Sequence, residues 1–348
     1  MRRRGMILWT LAAMVGLWGF PAWAGILYVN NASGCPGTGA TGTPYCTIQN
    51  AMSAAVAGDS IRIRSGTGIY DEHAQVVNRD GTAGSPIILE PDTAASFIIR
   101  DSGNGATRAA IWVQDSNYWT IRNLTFNDSG INPSVWGGIK IDANTQTVTG
   151  VQITGNTFLN MGGTQAFADT NLYAGAVVVG GCAPALGCGG GGFLPVGTLV
   201  QNNTFTDGRY TAIQLVYTDS TTVTGNTITG QKCGRFPDTA ANAVGMHVVY
   251  GNTNLIVSDN VWHDWDAPTN CTLANQGFAT HAAIWCDAEN GPSSQNVTVS
   301  GNTIFNISQG KANFDNPNGI NQASTGVFVE LECAGWTVSG NTIYNIGS

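Results

Sequence analysis

One short phrase recurs six times along the chain and constrains its fold more than any other feature. It centres on Asn156, Asn203, Asn226, Asn260, Asn302 and Asn341. Three positions before each stands Ile153, Val200, Val223, Val257, Val299 or Val338, and two positions after each stands Phe158, Phe205, Ile228, Trp262, Ile304 or Ile343. A seventh copy, Ile121 to Phe126, has Leu124 in place of the asparagine. Each copy reads as a short strand, a tight corner and a second short strand. The intervals between the asparagines are 47, 23, 34, 42 and 39 residues, so the shortest defines the repeating unit and the longer ones carry loop insertions. A unit of that size cannot bury an apolar face alone and must stack on its neighbours.

Between the phrases runs a second recurring strand: Ala110 to Val113, Gly138 to Ile141, Ala212 to Leu215, Gly245 to Val248, Ala283 to Cys286 and Gly326 to Val329. Two or three strands per coil, each parallel to its equivalents above and below, predict an all-β fold, a single-stranded right-handed parallel β-helix solenoid. Asparagine tolerates a left-handed corner, and its amide can bond the equivalent amide one coil away, so the column reads as structural.

At the amino terminus, Arg2, Arg3 and Arg4 precede an apolar run from Met6 to Phe20 and the small-x-small Ala22-Trp23-Ala24. This is the form of a signal peptide, residues 1–24, with maturation expected at Gly25 and the β-helix spanning 25–348. No later stretch reaches the roughly 18 apolar residues that cross a bilayer. The expectation is a secreted or periplasmic protein. Eight cysteines fit that oxidising setting. Close spacing suggests the pairs Cys35 with Cys46 and Cys182 with Cys188, leaving Cys233, Cys271, Cys286 and Cys333 unassigned. The part after residue 24 has eleven basic and 22 acidic residues, which leaves no basis for neutralising phosphates and argues against a nucleic-acid partner.

Thr47 is a good helix N-cap, Ile48, Ala51, Met52 and Ala55 follow at helical spacing, and Gly58 is placed to stop the helix. The expectation is a capping helix plugging the first coil. Together with Tyr28-Val29-Asn30-Asn31, Cys46 to Ala51, Ala57 to Ile63 and Gly66 to Tyr70, this stretch resembles the leading segment of secreted bacterial β-helix proteins of the pectate-lyase-like kind. That resemblance implies a carbohydrate partner, a polysaccharide or oligosaccharide. At the other end the last phrase closes four residues before Ser348, which predicts a truncated or uncapped edge, covered by missing sequence or another chain.

Alternation selects the outward side chains. In Ala283 to Asp287, Ile284 and Cys286 point inward while Trp285 and Asp287 point out. In Gly326 to Glu330, Val327 and Val329 point in while Phe328 and Glu330 point out. On consecutive rungs, about 4.8 Å apart, Asp287 and Glu330 would approach the roughly 5 to 5.5 Å carboxyl separation of retaining glycosidases. Two such neighbours cannot both ionise cheaply, which makes one a proton donor and the other a nucleophile. Trp285, Phe328 and His247 stand in the adjacent column as candidate sugar-binding residues.

These two strands are similar to those of β-helix glycoside hydrolases of the β-xylosidase type. There an Asp after an Ile-Trp-apolar run is the nucleophile and a Glu after Phe-Val the acid/base, which implies Asp287 and Glu330 here, in a hydrolysis that requires no cofactor. A second reading extends the alternation to Glu289 and Glu332, which with Asp287 and Glu330 could hold Ca2+ as in β-helix polysaccharide lyases. Lys140, Arg209, Lys232 and Arg235 are then the candidate bases. A third reading is a non-catalytic, glycan-binding surface solenoid.

Overall fold

The computed structural model describes residues 24–32, 34, 37–103, 109–128, 137–161, 175–182, 192–232, 234–235, 241–265, 281–287, 292–307, 324–329 and 333–347. Among them, three parallel sheets run the length of the molecule. The first begins with Ile26–Val29 and Ser60–Ile63 and ends with Val297–Ser300 and Trp336–Ser339. The second runs from Ala74–Val77 through Ala109–Gln114, Gly137–Ala143, Val177–Gly181, Tyr210–Val216, Ala241–Val249 and His281–Asp287 to Ser324–Val329. The third begins with Ile69–Asp71 and ends with Thr342–Ile346. Each coil takes one strand from the first sheet, turns the asparagine corner into the third, and returns through the second, so the architecture is the expected parallel β-helix with three strands per coil.

Register stacks like on like. The first-sheet column Ile121, Ile153, Val200, Val223, Val257 and Val299 is wholly buried. The third-sheet column stacks Phe126, Phe158 and Phe205 with ring centroids 5.0 and 4.7 Å apart. Parallel pairing in register leaves each inward side chain above its equivalent, which removes apolar area from water without any long-range crossing of the chain. At the last rung the inward positions Val338 and Ile343 are exposed.

The corner asparagines form one continuous ladder. The side-chain amide Nδ2 of Asn156 donates to Oδ1 of Asn203 at 3.0 Å, and the pattern continues through Asn226, Asn260 and Asn302 to Asn341 at 2.9 to 3.0 Å. From Asn203 onward each Oδ1 also accepts the backbone N–H of the preceding rung's asparagine, for example Asn203 N to Asn226 Oδ1 at 2.9 Å, and Oδ1 of Asn156 accepts the Leu124 N–H at 3.0 Å. One part of the expectation is corrected. The left-handed residue of each corner stands one position before the ladder: Asn123, Gly155, Asn202, Gly225, Asp259, Gly301 and Gly340. Glycine alternates there with Asn or Asp because space is short. A Cβ at Gly155, Gly225 or Gly301 would lie 2.6, 2.4 or 2.6 Å from Oδ1 of Asn123, Asn202 or Asp259 on the rung before.

The helix spans Ile48–Ala54, with the Thr47 hydroxyl accepting from Asn50 N–H. Its buried face, Ile48, Ala51 and Met52, joins the core. It ends four residues before Gly58, which instead shapes the following turn at φ +91°. The first two free N–H groups of the helix donate to Glu72 at 2.9 and 3.1 Å, a tertiary cap that local sequence does not announce.

Among the described residues no cysteine is free. Cys286 and Cys333, unassigned above, are disulfide-bonded with their Cα atoms 6.4 Å apart. Cys46 and Cys182 are also disulfide-bonded; their expected partners, Cys35 and Cys188, lie outside the described residues, as do Cys233 and Cys271. No helix among the described residues is long and apolar enough to cross a membrane.

Candidate functional site

The second sheet has the longest strands and carries the candidate residues on its outer face. Register places Gln214, His247, Trp285 and Phe328 in one outward column over four consecutive rungs. Val249 and Asp287 stand in the next column. Ile284 and Cys286 are fully buried in the core, while Trp285 and Asp287 are only partly buried, as alternation requires.

The rings of His247 and Trp285 stack at 4.4 Å and 11°, and those of Trp285 and Phe328 lie 6.4 Å apart at 29°. Phe328 and Trp285 remain partly open. His247 does not: its side chain is 1% exposed. Its Nδ1 lies 3.5 Å from Nε2 of the buried Gln214. Its Nε2 lies 3.4 Å from Oδ2 of Asp287, whose side chain is 14% exposed. That contact meets ion-pair distance without hydrogen-bond alignment, so Nε2 has no hydrogen-bond partner among the described residues. The imidazole, covered on one face by Trp285, sits under the outer aromatic layer rather than in it.

Tyr210 packs edge-on against His247, with centroids 6.4 Å apart. Burial pushes its phenol well above the usual range and the nearby Asp287 carboxylate pushes it further. Its φ of +67° is unusual for an aromatic residue and costs strain that the surrounding packing must offset. Val178, Val216, Val244 and Val249 are buried yet lie outside the interior cluster, so the outer face around His247 is enclosed. Sequence reasoning gave Gln214 and Tyr210 no role in the site. Gln214 was legible, since it holds the position of His247 in the recurring strand; nothing local marks Tyr210.

Glu330, Glu289 and Glu332 lie outside the described residues. Among the described residues no group of three His, Cys, Asp or Glu side chains could hold a metal ion, so the four-carboxylate Ca2+ arrangement has only Asp287 in view. Of the basic candidates, Lys140 shares the column of Trp285 four rungs earlier, with Nζ 4.1 Å from the Trp112 ring centre and 3.4 Å from Asp142. Burial raises the Asp142 carboxyl, and Lys140 offsets part of that rise. Lys232 pairs with Asp207 at 2.9 Å, away from Asp287.

Stacked parallel sheets with a polar and aromatic outer face define the class: a parallel β-helix with a candidate site on one sheet. A family profile described as "Right handed beta helix region" matches residues 170–348. The chain belongs to that right-handed β-helix family. A curated relative, pectate lyase PEL9 of Emericella nidulans, is 29% identical over 133 residues, which are 34% of this chain and 31% of the relative. The match thus spans about a third of that relative's length.

Among solved structures, the chain is similar to an alginate lyase from Paenibacillus sp. str. FPU-7, at 15% identity and TM-score 0.41, over 93% of this chain and 97% of that one. XylC in complex with xylose gives 11% identity and TM-score 0.47 over 83% and 69%. PfbA, a surface adhesin of Streptococcus pneumoniae, gives 14% and 0.39 over 86% and 87%.

Proposed function

We propose that this chain is an exported carbohydrate-active protein that hydrolyses glycosidic bonds with retention, Asp287 acting as nucleophile and Glu330 as acid/base. One observation carries the reading: Trp285 pairs with Phe328 and Cys286 with Val329, and the residue after each pair is an acid. Were that register to continue by one position, Asp287 and Glu330 would be neighbours on consecutive rungs, near the separation that retention needs. In the first step a carboxylate oxygen of Asp287 attacks the anomeric carbon while Glu330 gives its proton to the departing glycosidic oxygen. In the second, Glu330 takes a proton from the attacking water and the bond to Asp287 breaks. Trp285 and Phe328 offer an apolar wall to the sugar, and the buried His247 lies beneath, its Nε2 3.4 Å from Oδ2 of Asp287.

The likeness to a pectate lyase favours one second reading, a Ca2+-dependent polysaccharide lyase using Glu289 and Glu332 with the same two acids. Asp287→Asn and Glu330→Gln, assayed separately on plant and bacterial polysaccharides, separate the possibilities. Loss of new reducing ends in both variants supports the hydrolase. Calcium-dependent unsaturated ends in the wild type replace it with the lyase. Binding without turnover of any glycan leaves a glycan-binding solenoid.

A further inference from the structure

We infer that Asp59 is the receptor for the amino terminus that leader removal creates, its buried carboxylate binding the α-ammonium group of Gly25. This role is independent of the glycan chemistry proposed above. The small-x-small Ala22-Trp23-Ala24 places the cut between Ala24 and Gly25. Hydrolysis of that bond consumes one water and leaves a carboxylate on Ala24 of the released leader. On Gly25 it leaves an amine, which takes up a proton at neutral pH.

The partners of that ammonium already stand in place. Gly25 N lies 2.8 Å from Asp59 Oδ1, and Asp59 Oδ2 accepts the Val56 N–H at 2.9 Å. Residue 25 is fixed from its other side too, since its carbonyl accepts the Ser60 N–H at 2.9 Å. Asp59 is only 5% exposed. Yet among the described residues no Lys, Arg or His lies within ion-pair distance of it, whereas Asp71, Glu90 and Asp92 each have an arginine. A carboxylate at that depth is costly without a cation. The Gly25 ammonium supplies one at the point where the amide N–H stands. Size points the same way: a Cβ at residue 25 would lie 3.1 Å from Asp59 Oδ1, so glycine lets the terminus close on the carboxylate. Ala24 is exposed, and its departure opens no cavity. Processing thus turns a neutral hydrogen bond into a charge-assisted one, and ties Ile26–Val29 more firmly to Ser60–Ile63 in the mature chain.

Amino-terminal sequencing of the exported protein should give Gly25 as the first residue, and any other start overturns the inference. Chains starting at Gly25 and at Ala22 are then compared, each with and without Asp59→Asn, by native-state amide exchange at Ser60, whose N–H is bonded to Gly25 O. The opening constant should be about 10-fold smaller for the Gly25 start, the gain of a charged over a neutral donor, and that advantage should shrink to below about 2-fold with Asp59→Asn. Equal opening constants for the two starts overturn the inference, as does an advantage that survives Asp59→Asn. If Asp59→Asn does not fold, acetylation of the Gly25 amine takes its place, because it removes the charge and keeps an N–H. Exchange at Ser60 should then rise to the level of the Ala22 start, and exchange unchanged by acetylation overturns the inference.

Discussion

Replacing Asn226 by alanine tests the physical account of the corner directly. The side chain donates through Nδ2 to Val200 O at 2.9 Å, Thr224 O at 3.1 Å and Asn260 Oδ1 at 2.9 Å, and through Oδ1 it accepts from Asn203 N and Nδ2 at 2.9 and 3.0 Å. After truncation Asn260 Oδ1 keeps the backbone N–H of residue 226, and Asn203 Nδ2 keeps Ile153 O. The groups that lose a partner in the dry interior are the Asn203 N–H and the Val200 carbonyl. At about 1 to 3 kcal/mol for each buried group left short of a partner, the loss should be about 3 kcal/mol. Asn341→Ala removes the same kind of contacts at the half-exposed end of the ladder. Water can replace them there, so its cost should be about 1 kcal/mol. Denaturant unfolding of both variants, followed by far-ultraviolet circular dichroism, gives the comparison. Equal losses at the two positions, or a loss below about 0.5 kcal/mol at Asn226, would refute the claim that ladder bonds stabilise this fold in proportion to their burial.

Two further outcomes follow from the same coordinates. Gly225→Ala should cost about 1 kcal/mol or more, because φ is +66° and the new Cβ meets Asn202 Oδ1, while an alanine at exposed, right-handed positions should be neutral; equilibrium unfolding reads the difference. Acid should destabilise the protein. Burial pushes the carboxyls of Asp71, Glu90, Asp115 and Asp219 up, but their hydrogen bonds, with arginines helping at Asp71 and Glu90, outweigh it and hold all four below the usual range. A lowered folded pKa gives stability that is complete above the unfolded value, about 4, and lost as pH falls through the folded one. Burial raises Asp142 and Glu72, which act with the opposite sign. Hydrogen bonds from Asn306 and His263 hold Asp264 low as well, so with five lowered carboxyls against two raised ones among the described residues, the melting temperature should drop between about pH 5 and pH 3, and Asp115→Asn should flatten that drop; a melting temperature constant over the range would contradict the assignment.

The outward column of the second sheet was readable from the sequence. In a parallel solenoid, residues at the same position of successive repeats are neighbours, so aligning Gly245 to Val248 with Ala283 to Cys286 and Gly326 to Val329 already stacks His247, Trp285 and Phe328. What alignment misses is depth. His247 reads as a sugar platform because its column faces outward, yet the outer face is enclosed at that rung and the ring is buried against Gln214, Tyr210 and Asp287. Burial depends on what covers a strand from outside, and no repeat pattern encodes that.

The division has a simple physical basis. Strand alternation, the asparagine ladder and the column assignments depend on a period, and a period is local and repetitive, so the chain itself determines the coil. The Glu72 cap on the helix, the closeness of Asp287 to His247 and the Cys286–Cys333 bond each join residues that break the period or lie on different rungs. Those contacts exist only once the coils are stacked and the twist and insertions have set each distance, and so they belonged to the tertiary structure alone.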